Sequence, residues 1–379
     1  MANTNFERSL STWNGSSHPT ADNMALTIFS GTVLESFQLA SVFYDRSSTF
    51  ISTKQLNGAI SAQWPIIGDD PVASYHTPGT ELNILSTSAV SRIKSTQKVI
   101  TCDEILANAI DVPFRELALL HYEVLGPYAT KLGRNIARIL DRKIAILAMK
   151  GSTTAAVTNV HQAGMNVNRV GSATVATAYP LSPQGAYNFR KDLNELAQTM
   201  EERSIPAEGR YLFISPHIKS VLRFEANFDG SSLTSVPTMA STYDRNLSVQ
   251  PNDVNNRVIG RLDGFNVVVT NNLPSTDLSG SGLTGEDAAV AYVSAASGQT
   301  GGKYQGNFSG ATTNKRPVAV ALCAADTGHP GIGMVQAMGM QSHISPDERR
   351  NTQFLKAQLM CGLDVLCPWA CGSVSISAS

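Results

Sequence analysis

The architecture of this chain follows from residues 58–82, GAISAQWPIIGDDPVASYHTPGTEL, and from residues 91–105, SRIKSTQKVITCDEI. Ile60, Ala62 and Trp64 alternate with polar residues, which is the period of a β-strand with one apolar face. The second stretch reads as the returning strand. The pattern therefore predicts a long two-stranded arm, and such an arm is only marginally stable alone in water.

The end of this arm has the composition of a turn, and its apolar residues need a covering surface. Pro78 followed by glycine suits a type II turn, and on the return Arg92 and Lys94 lie on one side of the strand. We expect Trp64 and Tyr75 to pack on another copy of the chain. The residues predicted to make contacts between copies are Lys54, Ile60, Trp64, Tyr75, Pro78, Arg92 and Lys94.

Four further segments carry recognisable motifs. They are HYEV at 121–124 with YATKLG at 128–133, IP at 205–206 through SP at 215–216, GFNVVV at 264–269, and ERRN at 348–351 with Phe354. Together with the arm, and in the same order, they resemble the major capsid proteins of tailed bacteriophages, in particular the T-seven-like podophages.

The resemblance implies an α+β fold, the Hong Kong 97-type capsid fold. Its parts would be an N-terminal arm at 1–47, an extended β-hairpin loop at 48–98, a peripheral domain at 99–170 with a spine helix at 127–150, an axial domain at 171–337, and a return to the peripheral domain at 338–379.

The resemblance also implies a structural function. The chain would be a major capsid protein that self-assembles, as pentamers and hexamers, into the icosahedral head around the dsDNA genome. Its partners would be other copies, a scaffolding protein and portal in the procapsid, and packaged dsDNA bound non-specifically, with no membrane, no cofactor and no enzymatic activity. The protein would be part of the virion and be assembled in the host bacterial cytoplasm.

Composition agrees with an assembling protein. The 379 residues suffice for a substantial core, and 29 basic against 30 acidic residues leave a net charge of −1. This balance argues against a dedicated nucleic-acid binder and lets like copies approach without strong repulsion. No secretory signal or apolar run of membrane-spanning length is visible, so we expect a soluble cytosolic product.

The region from Pro127 to Lys150 has the periodicity of one long helix that ends before Gly151. Its cations recur at intervals of three and four residues and form a stripe. This stripe could face DNA through phosphate contacts, face the scaffolding protein, or be a solvated surface. The residues of the stripe are Lys131, Arg134, Arg138 and Arg142.

Other segments predict further elements. Asp22 suits the N-cap of an early helix, and Ser182 that of a later one. Residues 99–110 read as a strand, although residues 101–104 also fit a capping box. The remaining predictions are a short helix opened by Asp111 and Pro113, a strand at 210–214, a helix begun by Ser215 and Pro216, a hairpin at 258–269, a loop-rich insertion at 273–315, a strand at 317–325, and an extended run at 352–376 that rejoins the sheet beside the long helix.

Two features suggest other chemistry and are better explained without it. Residues 328–333, GHPGIG, match neither dinucleotide nor phosphate-loop patterns, and Pro330 removes a backbone donor. Cys361, Cys367 and Cys371 lack the paired spacing and fourth ligand of a zinc site, so we expect free thiols and no metal. The competing functions are an encapsulin-like nanocompartment shell and a nucleotide-using enzyme built on the glycine turn.

Overall fold

The computed structural model describes most of the chain. The described residues are 12–13, 16–17, 21–44, 50–67, 75, 78, 95–115, 125–157, 160–207, 209–223, 258–280, 282–292, 302–311, 314–323 and 330–378.

Helices and strands both contribute to the described fold, as the α+β prediction requires. The helices are α1 (Ala21–Ala40), α2 (Leu125–Thr153), α3 (Val175–Ala178), α4 (Pro183–Glu202), α5 (Pro216–Leu222) and α6 (Gly285–Val290). The strands are β1 (Thr12–Trp13), β2 (Ser16–Ser17), β3 (Ile51–Gln55), β4 (Ser61–Ile67), β5 (Ser95–Thr101), β6 (Leu106–Pro113), β7 (Met165–Val170), β8 (Tyr211–Ile214), β9 (Val258–Leu262), β10 (Phe265–Val269), β11 (Arg316–Leu322), β12 (Ile332–Asp347), β13 (Thr352–Val365) and β14 (Cys371–Ser377).

A six-stranded sheet in the order β7-β14-β11-β8-β10-β9 forms the larger core. Its central strand β11 is apolar and buried at almost every position because helices cover both faces. Ala319 and Ala321 belong to the same cluster as the apolar residues of α4. Val320 and Leu322 belong to the cluster that contains the apolar side of α2. The sheet is thus held between two long amphipathic helices.

The second sheet has four strands in the order β3-β12-β13-β6, and β4 pairs with β5 in a separate two-stranded ribbon. Strands β12 and β13 are antiparallel, from Ile332 opposite Val365 to Asp347 opposite Thr352. Strand β3 runs parallel to the start of β12 and so connects the segment before the ribbon to this sheet.

Helix α1 packs closely against α2. The contact depends on Gly133, where a Cβ atom would overlap the carbonyl oxygen of Val33 and the side chain of Ser36. Small residues allow two helix backbones to approach one another in this way. Val33 and Phe37 are buried with Leu132 and Ile136 in the same cluster.

Most predicted local elements are present. The Ser182 hydroxyl accepts a hydrogen bond from the Gly185 N–H and caps α4. Strands β9 and β10 form the predicted hairpin. It turns through Asp263 and Gly264 at φ 48° and 87°, where glycine avoids the cost of left-handed backbone. None of the described helices is long and apolar enough to cross a membrane.

Several predictions are corrected. Residues 99–110 lie in two strands, β5 and β6, separated by residues 102–105, and the capping-box helix is not formed. Asp111 and Pro113 end a strand, so the helical turn begins only at Phe114. Helix α1 begins at Ala21, so Asp22 lies within it and is not its N-cap. The 16-residue strand β12 was missed.

Two wider corrections concern the packing of whole segments. The insertion at 273–315 contributes buried residues against α2, among them Leu278, Val290 and Phe308. In the run at 352–376, β13 lies in the four-stranded sheet, but β14 crosses into the six-stranded sheet between β11 and β7.

Candidate functional site

The ribbon β4–β5 is the predicted two-stranded arm, with Ser61 opposite Thr101 and Ile67 opposite Ser95. One side of it faces the subunit. Trp64 and Ile66 are buried, and Trp64 joins the core cluster that contains Ile100.

The prediction that Trp64 contacts another copy is wrong, because its side chain is only 3% exposed within one chain. Its Nε1–H donates to Ser52 Oγ at 3.1 Å. Lys54 Nζ lies 4.6 Å from the centre of the indole ring and donates to the Gln63 carbonyl oxygen at 2.6 Å. These contacts hold Trp64 against β3. Lys54 therefore has a role within the subunit, and its predicted contact with another copy stays a prediction.

The opposite side of the ribbon is uncovered. It carries Ile67 and Val99, which are 58% and 43% exposed, among polar residues. Ile60, which precedes β4, is 69% exposed, and beyond β4 Tyr75 and Pro78 are exposed as well. Large apolar side chains exposed on and beside one ribbon make it a candidate interaction surface. Arg92 and Lys94 lie outside the described residues.

A buried charge cluster holds the base of the ribbon. Asp103, just after β5, pairs with Lys303 at 2.6 Å and with Lys143 of α2 at 3.9 Å. The Tyr304 hydroxyl donates to Asp103 Oδ2 at 2.7 Å and accepts from the Leu363 N–H at 3.1 Å. The cluster thereby joins the ribbon, α2, β13 and the segment after α6.

Burial explains the shifted pKa values in this cluster. It lowers the pKa of Lys143, and the nearby Asp103 carboxylate opposes that effect. Burial together with Asp103 raises the pKa of Tyr304 well above its ordinary value, so the phenol stays protonated and donates. Both lysines also lie over the Tyr304 ring, at 4.7 and 5.2 Å.

The basic stripe of α2 divides into two parts. Arg142 pairs with Asp287 at 2.5 Å, and Arg138 with Glu286 at 2.7 Å, both on α6. The Arg142 side chain is only 14% exposed, so it is excluded from a surface that faces DNA or a scaffolding protein.

Lys131 and Arg134, nearer the start of α2, are exposed and make no ion pair with any described residue. Arg134 borders an open cleft of about 700 Å³ between α1, α2, α5 and the end of β10. Arg138 and Lys219 line the same cleft, as does Glu35 of α1.

Asp141 lies on the buried side of α2 and binds the segment that leaves α1. Its carboxylate accepts hydrogen bonds from the N–H groups of Val42, Phe43 and Tyr44 at 2.7, 3.2 and 3.4 Å. Asn272 adds a fourth at 3.1 Å. Burial raises the pKa of Asp141 to about 6, and these hydrogen bonds offset the effect only in part. The sequence patterns did not predict a role for this residue or for the Asp103 cluster, because their only signal was a charge within an apolar stretch.

No group of residues suited to bind a metal ion occurs within the described part of the chain. All five cysteines are free. Burial raises the pKa of the Cys323, Cys361 and Cys367 thiols to about 12, which keeps them protonated and unreactive. The turn at 328–333 lies partly outside the described residues.

Comparison with known proteins identifies a family. The model of the Gp10A-like family, described as major capsid protein, matches residues 63–375. The major capsid protein of Enterobacteria phage T3 is 27% identical over 299 residues, 76% of each chain. That of Escherichia phage T7 is 32% identical over 151 residues, 40% of this chain and 39% of the relative.

Solved structures show the fold. The capsid structure of the cyanophage P-SCSP1u covers 98% of both chains, with a TM-score of 0.61 at 21% identity. The mature capsid of bacteriophage PhiM1 covers 89% of this chain and 87% of its own, with a TM-score of 0.59 at 15% identity. The architecture is therefore the capsid fold of the Hong Kong 97 type.

Proposed function

The chain belongs to the Gp10A-like family of major capsid proteins, and from that premise we propose that its copies join through the outer side of the β4–β5 ribbon. It is a structural protein of a tailed-phage virion, not an enzyme, and its copies assemble into a shell. The comparisons give no support to a nanocompartment shell or a nucleotide-using enzyme.

The observation that carries the proposal is the exposure of Ile67 and Val99 on the outer side of the ribbon and of Ile60 just before it. The inner side is satisfied by the subunit's own core, so only the outer side is available to a neighbour. Exposed Tyr75 and Pro78 would extend this contact. Arg92 and Lys94 would contribute at the return of the arm.

Weak contacts suffice for such a shell. If one contact supplies ~4 kcal/mol, it is only millimolar alone, but several contacts per subunit add to a very stable particle. Copies would form pentamers and hexamers through the axial domain, residues 171–337. A flexible arm suits the slightly different angles that a closed shell demands.

The other partners follow from charge and from the family. Lys131, which lies outside the cleft, would contact packaged dsDNA or the scaffolding protein, and any DNA contact would be to phosphates and sensitive to salt. A scaffolding protein and a portal would take part in the procapsid. Assembly would take place in the host bacterial cytoplasm.

Charging the outer side of the ribbon tests the proposal. Replacement of Ile60 and Ile67 together by aspartate would bury charge at the contact, so particle yield should fall at least about tenfold while the subunit stays folded. Sedimentation and electron microscopy measure particles, and circular dichroism measures folding.

The matched control is Val170→Asp, because Val170 is 63% exposed and belongs to neither strand of the ribbon nor to residues 171–337. It should assemble normally. Wild-type particle yield from the Ile60 and Ile67 variant would remove the ribbon from the assembly contact.

A further inference from the structure

The cleft beside α2 is a basic site with polar walls. Arg134 and Lys219 lie on two of its sides and make no ion pair with any described residue, and Arg138 lies between them although Glu286 also binds it. The only acidic residue in the lining is Glu35. Because Glu286 already pairs with Arg138, two cations that are unpaired among the described residues stand against the one carboxylate of Glu35, and this balance still favours an anionic occupant.

The rest of the lining indicates the kind of occupant. Thr130, Thr270, Asn271 and Asn272 supply hydroxyl and amide groups, and Leu39 and Val269 supply apolar contacts. Amides, hydroxyls and apolar patches together suit a peptide, whose backbone needs partners as well as its side chains.

The chain itself contains a matching peptide. Between β4 and β5, residues 68–91 hold Asp69, Asp70 and Glu81 and contain no lysine or arginine. Asp69 and Asp70 come directly after Gly68, which follows the last residue of β4. They are therefore the first charges beyond the outer side of the ribbon.

We propose that this cleft receives residues 68–81 of a second copy of the chain, with Asp69 and Asp70 bound by Arg134 and Lys219. The inference rests on the proposed contact between copies through the ribbon and specifies what the ribbon docks against. Carboxylates bind guanidinium groups through paired hydrogen bonds, which fixes register as well as affinity. The contact is heterologous, so it can repeat around a ring of subunits.

Reversal of the charges tests the pairing. Arg134→Glu with Lys219→Glu places like charges against Asp69 and Asp70, and particle yield should fall about tenfold or more. Asp69→Lys with Asp70→Lys should cause the same loss. All four changes in one chain should restore yield to within about threefold of wild type, because opposite charges again face one another.

A mixture of the two double variants identifies where the contact occurs. If the contact is between copies, coexpression of the cleft variant with the tip variant restores particles, since each tip finds an opposite charge on its neighbour. If the contact lies within one chain, only the four-change chain recovers. Recovery in the mixture supports the proposal, and recovery confined to the single chain overturns it.

Arg349→Glu is the matched control. Arg349 is exposed, makes no ion pair with any described residue and does not line the cleft, so its reversal should leave yield unchanged. Normal assembly of the Arg134 and Lys219 variant overturns the proposal. So does a loss that tip reversal fails to rescue, which would indicate DNA or a scaffolding protein as the occupant.

Neutral variants keep the test decisive if a reversal variant does not fold. Arg134→Gln with Lys219→Gln should lower the yield and weaken its salt dependence, and an unchanged salt dependence overturns the proposal. Failure of the cleft proposal is distinguishable from failure of the ribbon contact. If only the cleft proposal is wrong, the Ile60 and Ile67 variant still fails to assemble. If the ribbon contact itself is wrong, that variant assembles normally.

Discussion

Asp141 shows how one buried carboxylate positions a whole segment. Four hydrogen bonds reach it from the chain after α1 and from Asn272. No cation is within ion-pair distance of it among the described residues. The energetic consequence is that the folded chain retains this proton to higher pH than the unfolded chain does.

The shifted pKa of Asp141 predicts a pH dependence of stability. Its pKa rises from 3.8 to about 6 on folding, so between these values the folded chain binds more protons than the unfolded chain. The free energy of unfolding should therefore fall as pH rises from about 4 to 6, by at most on the order of 3 kcal/mol from this group.

Urea denaturation of wild type and Asp141→Asn, at several pH values between 4 and 7, gives the free energy of unfolding as a function of pH. The difference between the two slopes measures the contribution of Asp141. Asn272→Ala serves as a control that keeps the carboxyl group. Equal slopes for wild type and Asp141→Asn would show that Asp141 has an ordinary pKa.

Trp64 gives a second prediction for a single residue. Because it is buried and bonded to Ser52, Trp64→Ala should destabilise the subunit itself by about 3–5 kcal/mol. Thermal or urea unfolding of the unassembled subunit measures the loss. Ile60→Ala, at an exposed position of the same ribbon, should change stability by less than about 0.5 kcal/mol. An intact subunit that merely fails to assemble would contradict the burial of Trp64.

Among the elements, the short helix α6 has a structural role in covering α2. It covers the middle of α2 through two ion pairs and through the cluster of Val290, Leu278 and Phe308 with Ile139 and Ile146. A segment rich in glycine and serine is thereby part of the core. Its attachment depends on Arg142, the least exposed cation of the stripe.

Removal of Arg142 should loosen α6 locally. Arg142→Ala leaves Asp287 without its main partner, so hydrogen exchange in residues 285–292 should speed up about tenfold, which corresponds to ~1.4 kcal/mol. Lys131→Ala, on the same helix, should leave exchange there unchanged. Equal protection in both variants would show that the apolar cluster alone holds α6.

The two buried charge sites, around Asp103 and Asp141, also connect elements that are distant in sequence. Asp103 joins α2 to the base of the ribbon, and Asp141 joins α2 to the exit of α1. The N-terminal helix and the ribbon are thus both anchored on one helix.

For the whole molecule, the distribution of surfaces agrees with a shell subunit. Helices cover both faces of the six-stranded sheet, so the core is complete within one chain. Exposed apolar residues lie on and beside the ribbon, as well as elsewhere on the subunit, and exposed cations lie at the start of α2. A subunit with a complete core can join its neighbours through contacts that are individually weak.

The sequence by itself determined the local elements and the family. Alternation around Trp64, the Ser182 cap and the long period of α2 each depend on neighbouring residues, and the structure has all three elements. Local geometry and hydrogen bonding suffice to specify such features. The ordered motifs likewise identified a major capsid protein, which the family match confirms.

Only the tertiary structure decided what lies against each element. Periodicity places Trp64 on the apolar face of its strand, but it does not tell whether the subunit's own β3 or a neighbouring copy covers that face. Likewise, the spacing of Arg142 along its helix does not reveal that Asp287 lies 2.5 Å away. In the same way, an apolar strand such as β14 fits either sheet, and its register with β11 and β7 assigns it to the larger one. These are contacts between residues far apart in sequence, and their energies depend on burial and distance, which a one-dimensional pattern does not contain.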